Sequence, residues 1–150
     1  MKVIQPLVAV LPAFLFAAGA AADSGLFTSP ATLGRLNGEQ IYAHICQSCH
    51  MADGQGAVGA GFYPKLAADK NFASWQFVAL TVLNGRNGMP PFGYPSSSNP
   101  QARARHLSDA QIADVVNYVR SHFGNAFKAE VTATQIAALP HPEAELIGPQ

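Results

Sequence analysis

Cys46-Gln47-Ser48-Cys49-His50 decides how the rest of the chain is read. Two cysteines two residues apart, followed at once by a histidine, form the attachment signature of covalent c-type haem. If the stretch is helical, Cys46, Cys49 and His50 stand at i, i+3 and i+4, so their side chains share one face. One porphyrin edge can then meet all three. The thiols add across two vinyl groups as thioethers, and the imidazole of His50 reaches the iron from the proximal side. Two other readings fit the same spacing, a redox dithiol and half of a zinc site. The chain has two cysteines in all, so a zinc site would draw on His44, His106, His122 or His141, none at finger-like spacing. A dithiol goes with a strand-rich alternating pattern, which the sequence lacks.

At 150 residues the chain predicts one domain and one functional site. Residues 1–22 read as an export signal. Lys2 gives a basic start, an apolar run follows from Val3 to Phe16, and Ala20-Ala21-Ala22 offers a small-residue cleavage site. The mature chain is then expected to start at Asp23, in the periplasm. Ala18-Gly19-Ala20 is an alternative cleavage signal and an uncleaved anchor a rival, although Pro6 and Pro12 interrupt an already short run. Loss of Lys2 from a chain with nine basic and nine acidic residues leaves a formal charge of minus one. No nucleic-acid footprint follows from that balance. The hydrophobic fraction of 49% is inflated by the signal, and no stable membrane span is expected after it. With both cysteines on haem no disulfide is available, so stability must come from helix packing and the cofactor.

Residues 23–37 form an arm without clear period. Asn37 followed three residues later by Gln40 opens a helix through Ile41, Tyr42 and Ile45 to Cys46. A Gly-rich loop over residues 53–61 has no strand before it, which argues against a phosphate cradle; its glycines are expected to let the backbone pass close to the haem edge. Residues 74–83 read as a helix with Trp75, Val78, Ala79 and Val82 in a stripe, flanked by Leu80 and Leu83 and ended by Asn84-Gly85. Trp75 is read as core in preference to a propionate partner. Ser108-Asp109-Ala110-Gln111 is a capping box with Leu107 and Ile112 as its staple. The helix it opens should run to about His122 and stop at Gly124, placing Ile112, Val115, Val116, Val119 and Phe123 on one apolar face. Residues 125–150 are a tail in which Thr132 to Gln135 starts one short helix before Pro140.

Phe62-Tyr63-Pro64-Lys65-Leu66 and Asn84-Gly85-Arg86-Asn87-Gly88-Met89-Pro90-Pro91-Phe92-Gly93, taken with the haem motif, resemble class I (monohaem, His/Met-ligated) cytochromes c. The resemblance implies an all-α, cytochrome c-like helical fold around one covalent haem c. It implies that Pro64 lends its carbonyl to the Nδ1 hydrogen of His50, leaving Nε2 for iron. It makes Met89 the second axial ligand. It also implies that the first and last helices cross, with Gly38 and Tyr42 meeting Val115 and Tyr118, where a bare glycine permits close approach of two backbones. Residues 94–105, polar and broken by Pro95 and Pro100, depart from the family pattern as an insertion. The resemblance covers residues 38–124, and the tail is loosely similar to cytochrome subunits that serve periplasmic dehydrogenases.

A haem with both axial positions filled by protein has no open site for oxygen or peroxide, so a single-electron carrier is expected and not an enzyme. The expected partners are redox proteins: a dehydrogenase as donor, and an oxidase or another cytochrome as acceptor, leading towards a respiratory chain. The alternative is a haem peroxidase or gas sensor in which Met89 is labile.

Overall fold

A computed structural model describes residues 34–59, 61–93, 105–128 and 130–142. The stretch expected to be an export signal, and most of the insertion after the Met89 turn, lie outside the described residues.

The first helix is continuous from Gly38 to His50 but changes winding twice. It comprises α1 (Gly38–Ile41), a π-helical turn (Tyr42–Cys46) and α2 (Gln47–His50). Asn37 caps it reciprocally. Its Oδ1 accepts from the Gln40 N–H at 3.0 Å, and Gln40 Oε1 accepts from the Asn37 N–H at 3.1 Å, so two orphan donors of the first turn are satisfied. In the π turn the Gln47 N–H reaches back five residues to the Tyr42 carbonyl. The helix ends at Met51, a non-glycine residue with φ 63 and ψ 163, a conformation that costs on the order of 1–3 kcal/mol. Two donors hold it there: the Tyr42 hydroxyl, 2.7 Å from the Met51 carbonyl, and the Gly54 N–H at 3.2 Å.

A two-residue ladder follows, β1 (Ala57–Val58) antiparallel to β2 (Phe62–Tyr63) in the register Ala57↔Tyr63 and Val58↔Phe62. It is the one sheet among the described residues, and the core is helical, as the expected all-α class requires. A 3₁₀ turn (Lys70–Ala73) leads to α3 (Trp75–Asn84), capped by Ser74 Oγ on the Phe77 N–H and closed by Gly85 at φ 71. Val78, Ala79 and Leu83 are its buried residues, with Trp75 and Val82 half-buried. The inward stripe is therefore turned towards Leu83, which the sequence reading placed at its flank.

The last long helix, α4 (Asp109–Ser121), starts at the Ser108–Gln111 capping box, and its staple residues Leu107 and Ile112 are both buried. It crosses the first helix at Gly38. A Cβ there would collide with the backbone carbonyl of Asp114 and come within 3.1 Å of Tyr118 Cβ. The glycine's direct neighbour is thus the main chain at Asp114, while Val115 is buried in the core. One turn on, the Tyr42 ring lies 5.6 Å from that of Tyr118 and 4.7 Å from that of Phe123.

The described residues beyond Gly124 pack back on α4. Asn117 takes the Val131 backbone in both directions, Nδ2 to the carbonyl and Oδ1 from the N–H, each at 2.8 Å. That pairing feeds α5 (Ala133–Ala137), whose Ile136 is fully buried. His141 Nε2 then meets Asp109 Oδ1 at 2.8 Å, beside the start of α4.

Candidate haem site

Cys46 closes the π turn, and Cys49 and His50 lie in α2. The three residues keep the i, i+3, i+4 relation. Both cysteines are free and half-buried. Burial, and then the neighbouring Cys49, pushes the Cys46 thiol up to about 12. A redox dithiol needs a thiolate stabilised by its surroundings, and Cys46 has the opposite environment. Nor do three His, Cys, Asp or Glu side chains gather at a metal-binding spacing among the described residues.

His50 is buried, and its Nδ1 lies 2.9 Å from the Pro64 carbonyl oxygen. A carbonyl can only accept, so Nδ1 carries the hydrogen and Nε2 keeps its lone pair for a metal. Pro64 is delivered by the β1–β2 hairpin, and the hairpin can reach His50 because of Gly56. That residue sits at φ 66, donates its N–H to the His50 carbonyl at 3.1 Å, and has no room for a Cβ, which would run into the Tyr63 and Pro64 carbonyls. The loop glycines were expected to make way for the haem edge; at Gly56 the backbone being accommodated is the chain's own.

Met89 comes from a separate turn. Arg86 and Met89 exchange both backbone hydrogen bonds, at 3.1 and 2.9 Å, across Asn87 and Gly88, which have φ 48 and φ 90. Two positive φ values in a two-residue connection make a type I′ turn, for which Asn-Gly is the favoured pair. Gly85 is crowded by the Met89 carbonyl, so the turn folds tightly against the end of α3. Phe92 and Gly93 then donate to the Val82 and Leu83 carbonyls, each at 3.0 Å. Met89 is half-buried and packs against the apolar core. A buried atom also waits nearby in the chain. Among the described residues His106 Nδ1 has no hydrogen-bond partner, and the next residue, Leu107, donates to the Phe92 carbonyl at 2.9 Å. A free Nε2 and two free thiols one helical turn apart are the features a covalently held haem would use.

The profile of the family described as Cytochrome c matches residues 36–123, more than half of the chain. The chain belongs to the cytochrome c family. Haem c, bound covalently, is the cofactor of this family, and electron transfer is the role of a cytochrome c. The chain is 34% identical over 118 residues to the gluconate 2-dehydrogenase cytochrome c subunit of Pantoea cypripedii, covering 71% of this chain and 24% of that protein. It is 35% identical over 107 residues to the cytochrome c subunit of alcohol dehydrogenase (quinone) from Gluconobacter oxydans (strain 621H), covering 68% and 21%. To cytochrome c-555 of Methylococcus capsulatus it is 42% identical over 67 residues, covering 44% and 52%. This cytochrome c thus spans a quarter or less of the two dehydrogenase subunits.

Sequence reading missed several residues that support the site. The Tyr42 hydroxyl on Met51 and the Asn125 side chain described below are polar contacts between distant segments, for which a linear sequence carries no periodic signal. The Asn87-Gly88 turn did carry one, the Asn-Gly pair itself.

Proposed function

We propose that this cytochrome c is exported to the periplasm by cleavage of residues 1–22 and carries single electrons from a dehydrogenase towards a respiratory chain. Residues 38–124 form the haem-binding domain in this reading, and residues 125–150 are the tail. Cys46 and Cys49 hold the haem, His50 and Met89 bind its iron, and the Pro64 carbonyl acts on the histidine. When bound, the haem supplies a one-electron couple between ferric and ferrous iron. The chain's part is to fix its environment. His50, held in one tautomer by Pro64, offers Nε2 in a set direction. The I′ turn presents the Met89 thioether on a short, closed backbone, so a weak sulfur ligand need not also restrain a loose loop. With His50 buried and Met89 half-buried against the core, iron held by both would have no open position for water or peroxide, which favours electron transfer over catalysis.

The observation that carries this reading is the 2.9 Å approach of His50 Nδ1 to Pro64 O at the end of the helix that bears both cysteines. The dehydrogenase as donor is supported by the similarity to two proteins described as dehydrogenase cytochrome c subunits. No helix among the described residues is long and apolar enough to cross a membrane. Expression with a c-type maturation system tests the reading. The secreted product should start at Asp23, keep its haem in denaturant, and show a far-red Met-to-iron band when ferric. Reduction by a purified sugar or alcohol dehydrogenase, with its own substrate present, tests the donor. A product that is five-coordinate and reacts with peroxide would point to the peroxidase or sensor alternative.

A further inference from the structure

Pro64 does not hold itself against His50. Two residues after it begins a strap, residues 66–69, that is tied along both edges. On one side the Leu66 and Ala67 N–H groups both donate to the Gly54 carbonyl, at 2.8 and 3.0 Å. On the other side stands Asn125, beyond the end of α4 and almost fully buried, with relative exposure of 7%. Its Nδ2 donates to the Leu66 carbonyl at 3.0 Å and to the Val119 carbonyl of α4 at 2.8 Å, while its Oδ1 accepts from the Asp69 N–H at 2.9 Å. The orientation of the amide is settled by this network, since carbonyls face its nitrogen and an N–H faces its oxygen. Ala68, between these points, donates to the Phe123 carbonyl at 3.0 Å.

We propose that Asn125 is a positioning residue for the His50 ligand: by fixing the strap at Leu66 and Asp69 to the end of α4, it sets the reach of the Pro64 carbonyl to His50 Nδ1. The inference rests on the reading of His50 as an axial ligand. A carbonyl held close to the Nδ1 hydrogen makes the imidazole a stronger donor to the metal, which favours ferric iron. Without the amide, three backbone groups in buried or partly buried bonds lose this partner, and two of them belong to the strap. Leu66 would then be held from the Gly54 side alone, and the Pro64 carbonyl, two residues upstream, would be free to draw back.

The test uses the haem-loaded protein, its histidines labelled with nitrogen-15, in the reduced diamagnetic state. Asn125→Ala removes the amide, and Asn125→Leu removes it while keeping the volume. Asn117→Ala is the comparison, since Asn117 pins the tail at Val131 and not the strap. In both Asn125 variants the His50 Nδ1 hydrogen should exchange with solvent about tenfold faster or more, and the midpoint potential should rise. Loosening that merely admits water to the haem would lower it. Asn117→Ala should lose stability with exchange and potential unchanged. Asn125 variants that lose stability but keep the wild-type exchange rate and potential would overturn the proposal. If neither Asn125 variant yields haem-loaded protein, the wild type decides. The His50 ring hydrogen and the Asp69 backbone N–H should then exchange through one opening with the same denaturant dependence, and separate dependences overturn the proposal. A His50 ring lacking the ring-current shift of a haem ligand would instead overturn the axial assignment itself.

Discussion

His50 Nδ1 donates to the Pro64 carbonyl oxygen at 2.9 Å across fourteen residues of chain, and the loop between them is shaped by a glycine that cannot be replaced without moving that oxygen. Gly56→Ala would place a Cβ against the Tyr63 and Pro64 carbonyls and force alanine into φ 66. The strain alone is on the order of 1–3 kcal/mol. The expected result is a lower melting temperature for the haem-loaded protein and faster exchange of the His50 ring hydrogen. Gly59→Ala, in the same loop but with open space around it, should change neither, and equal effects from the two would remove the steric argument.

The attachment and ligation roles fall on different residues, so their variants should separate. Replacing Cys46 and Cys49 together by alanine should leave little stable haem-bearing protein. Met89→Ala should keep the haem covalently bound, lose the far-red band and lower the potential by about 0.1 V or more, within the span of about 0.8 V over which axial ligands and surroundings tune haem. Spectroelectrochemistry decides it: an unchanged potential would take Met89 off the list of ligands.

The crossing of the first and last helices depends on the bare backbone at Gly38. Gly38→Ala adds one methyl group against the Asp114 carbonyl, an overpacking that typically costs about 1–3 kcal/mol. Chemical denaturation should show that loss with the visible spectrum unaltered. A neutral result would mean that the helices can part at little cost.

The tail supplies a pH dependence. The hydrogen bond that His141 donates to Asp109, opposed by burial and helped by the Leu139 carbonyl and the Asp109 charge, raises the pKa of His141 above its ordinary 6.5. A histidine whose folded pKa is raised stabilises fully below the unfolded value and loses that contribution as pH climbs through the folded value. The side chains are 31% and 37% exposed, so the amplitude is small. The melting-temperature difference between wild type and His141→Ala should therefore be largest below pH 6.5 and shrink above it. A difference that grows with pH would reverse the assignment.

The motif and its helix were legible because each is local: a five-residue signature and capping boxes spaced by three. Met89 was reached through the family resemblance, and the Asn87-Gly88 pair that shapes its turn went unread. Ser108 with Gln111 and Thr132 with Gln135 open helices where their spacing says they should. What the sequence did not display is how the pieces are tied. Asn125 reads as an ordinary polar residue after a helix, yet it bonds to Leu66 and Asp69, more than fifty residues away in sequence. The buried Arg120, whose Nε donates to the Phe72 carbonyl at 3.0 Å, is equally silent in the linear pattern of α4. Side-chain to backbone bonds between distant segments have no period to find. The turn of the α3 stripe towards Leu83 has a similar origin. Leu83 packs beneath Gly93, whose missing Cβ makes space for it, and that neighbour lies ten residues on.

The π turn at Tyr42–Cys46 makes the first helix a two-phase object. An α-helix advances about 100° per residue, and a π turn is in effect one residue inserted into that winding. The half that carries Gly38 and crosses α4 is therefore out of phase with the half that carries Cys49 and His50. Uniform α-winding over the same residues would swing the haem motif about 100° around the axis relative to the crossing, and the wide turn absorbs that rotation. Deleting one residue from the π turn should therefore restore uniform winding with the aim of Cys49 and His50 nearly unchanged. A related chain of equal length with an uninterrupted α-helix here must aim its cysteines differently relative to its last helix.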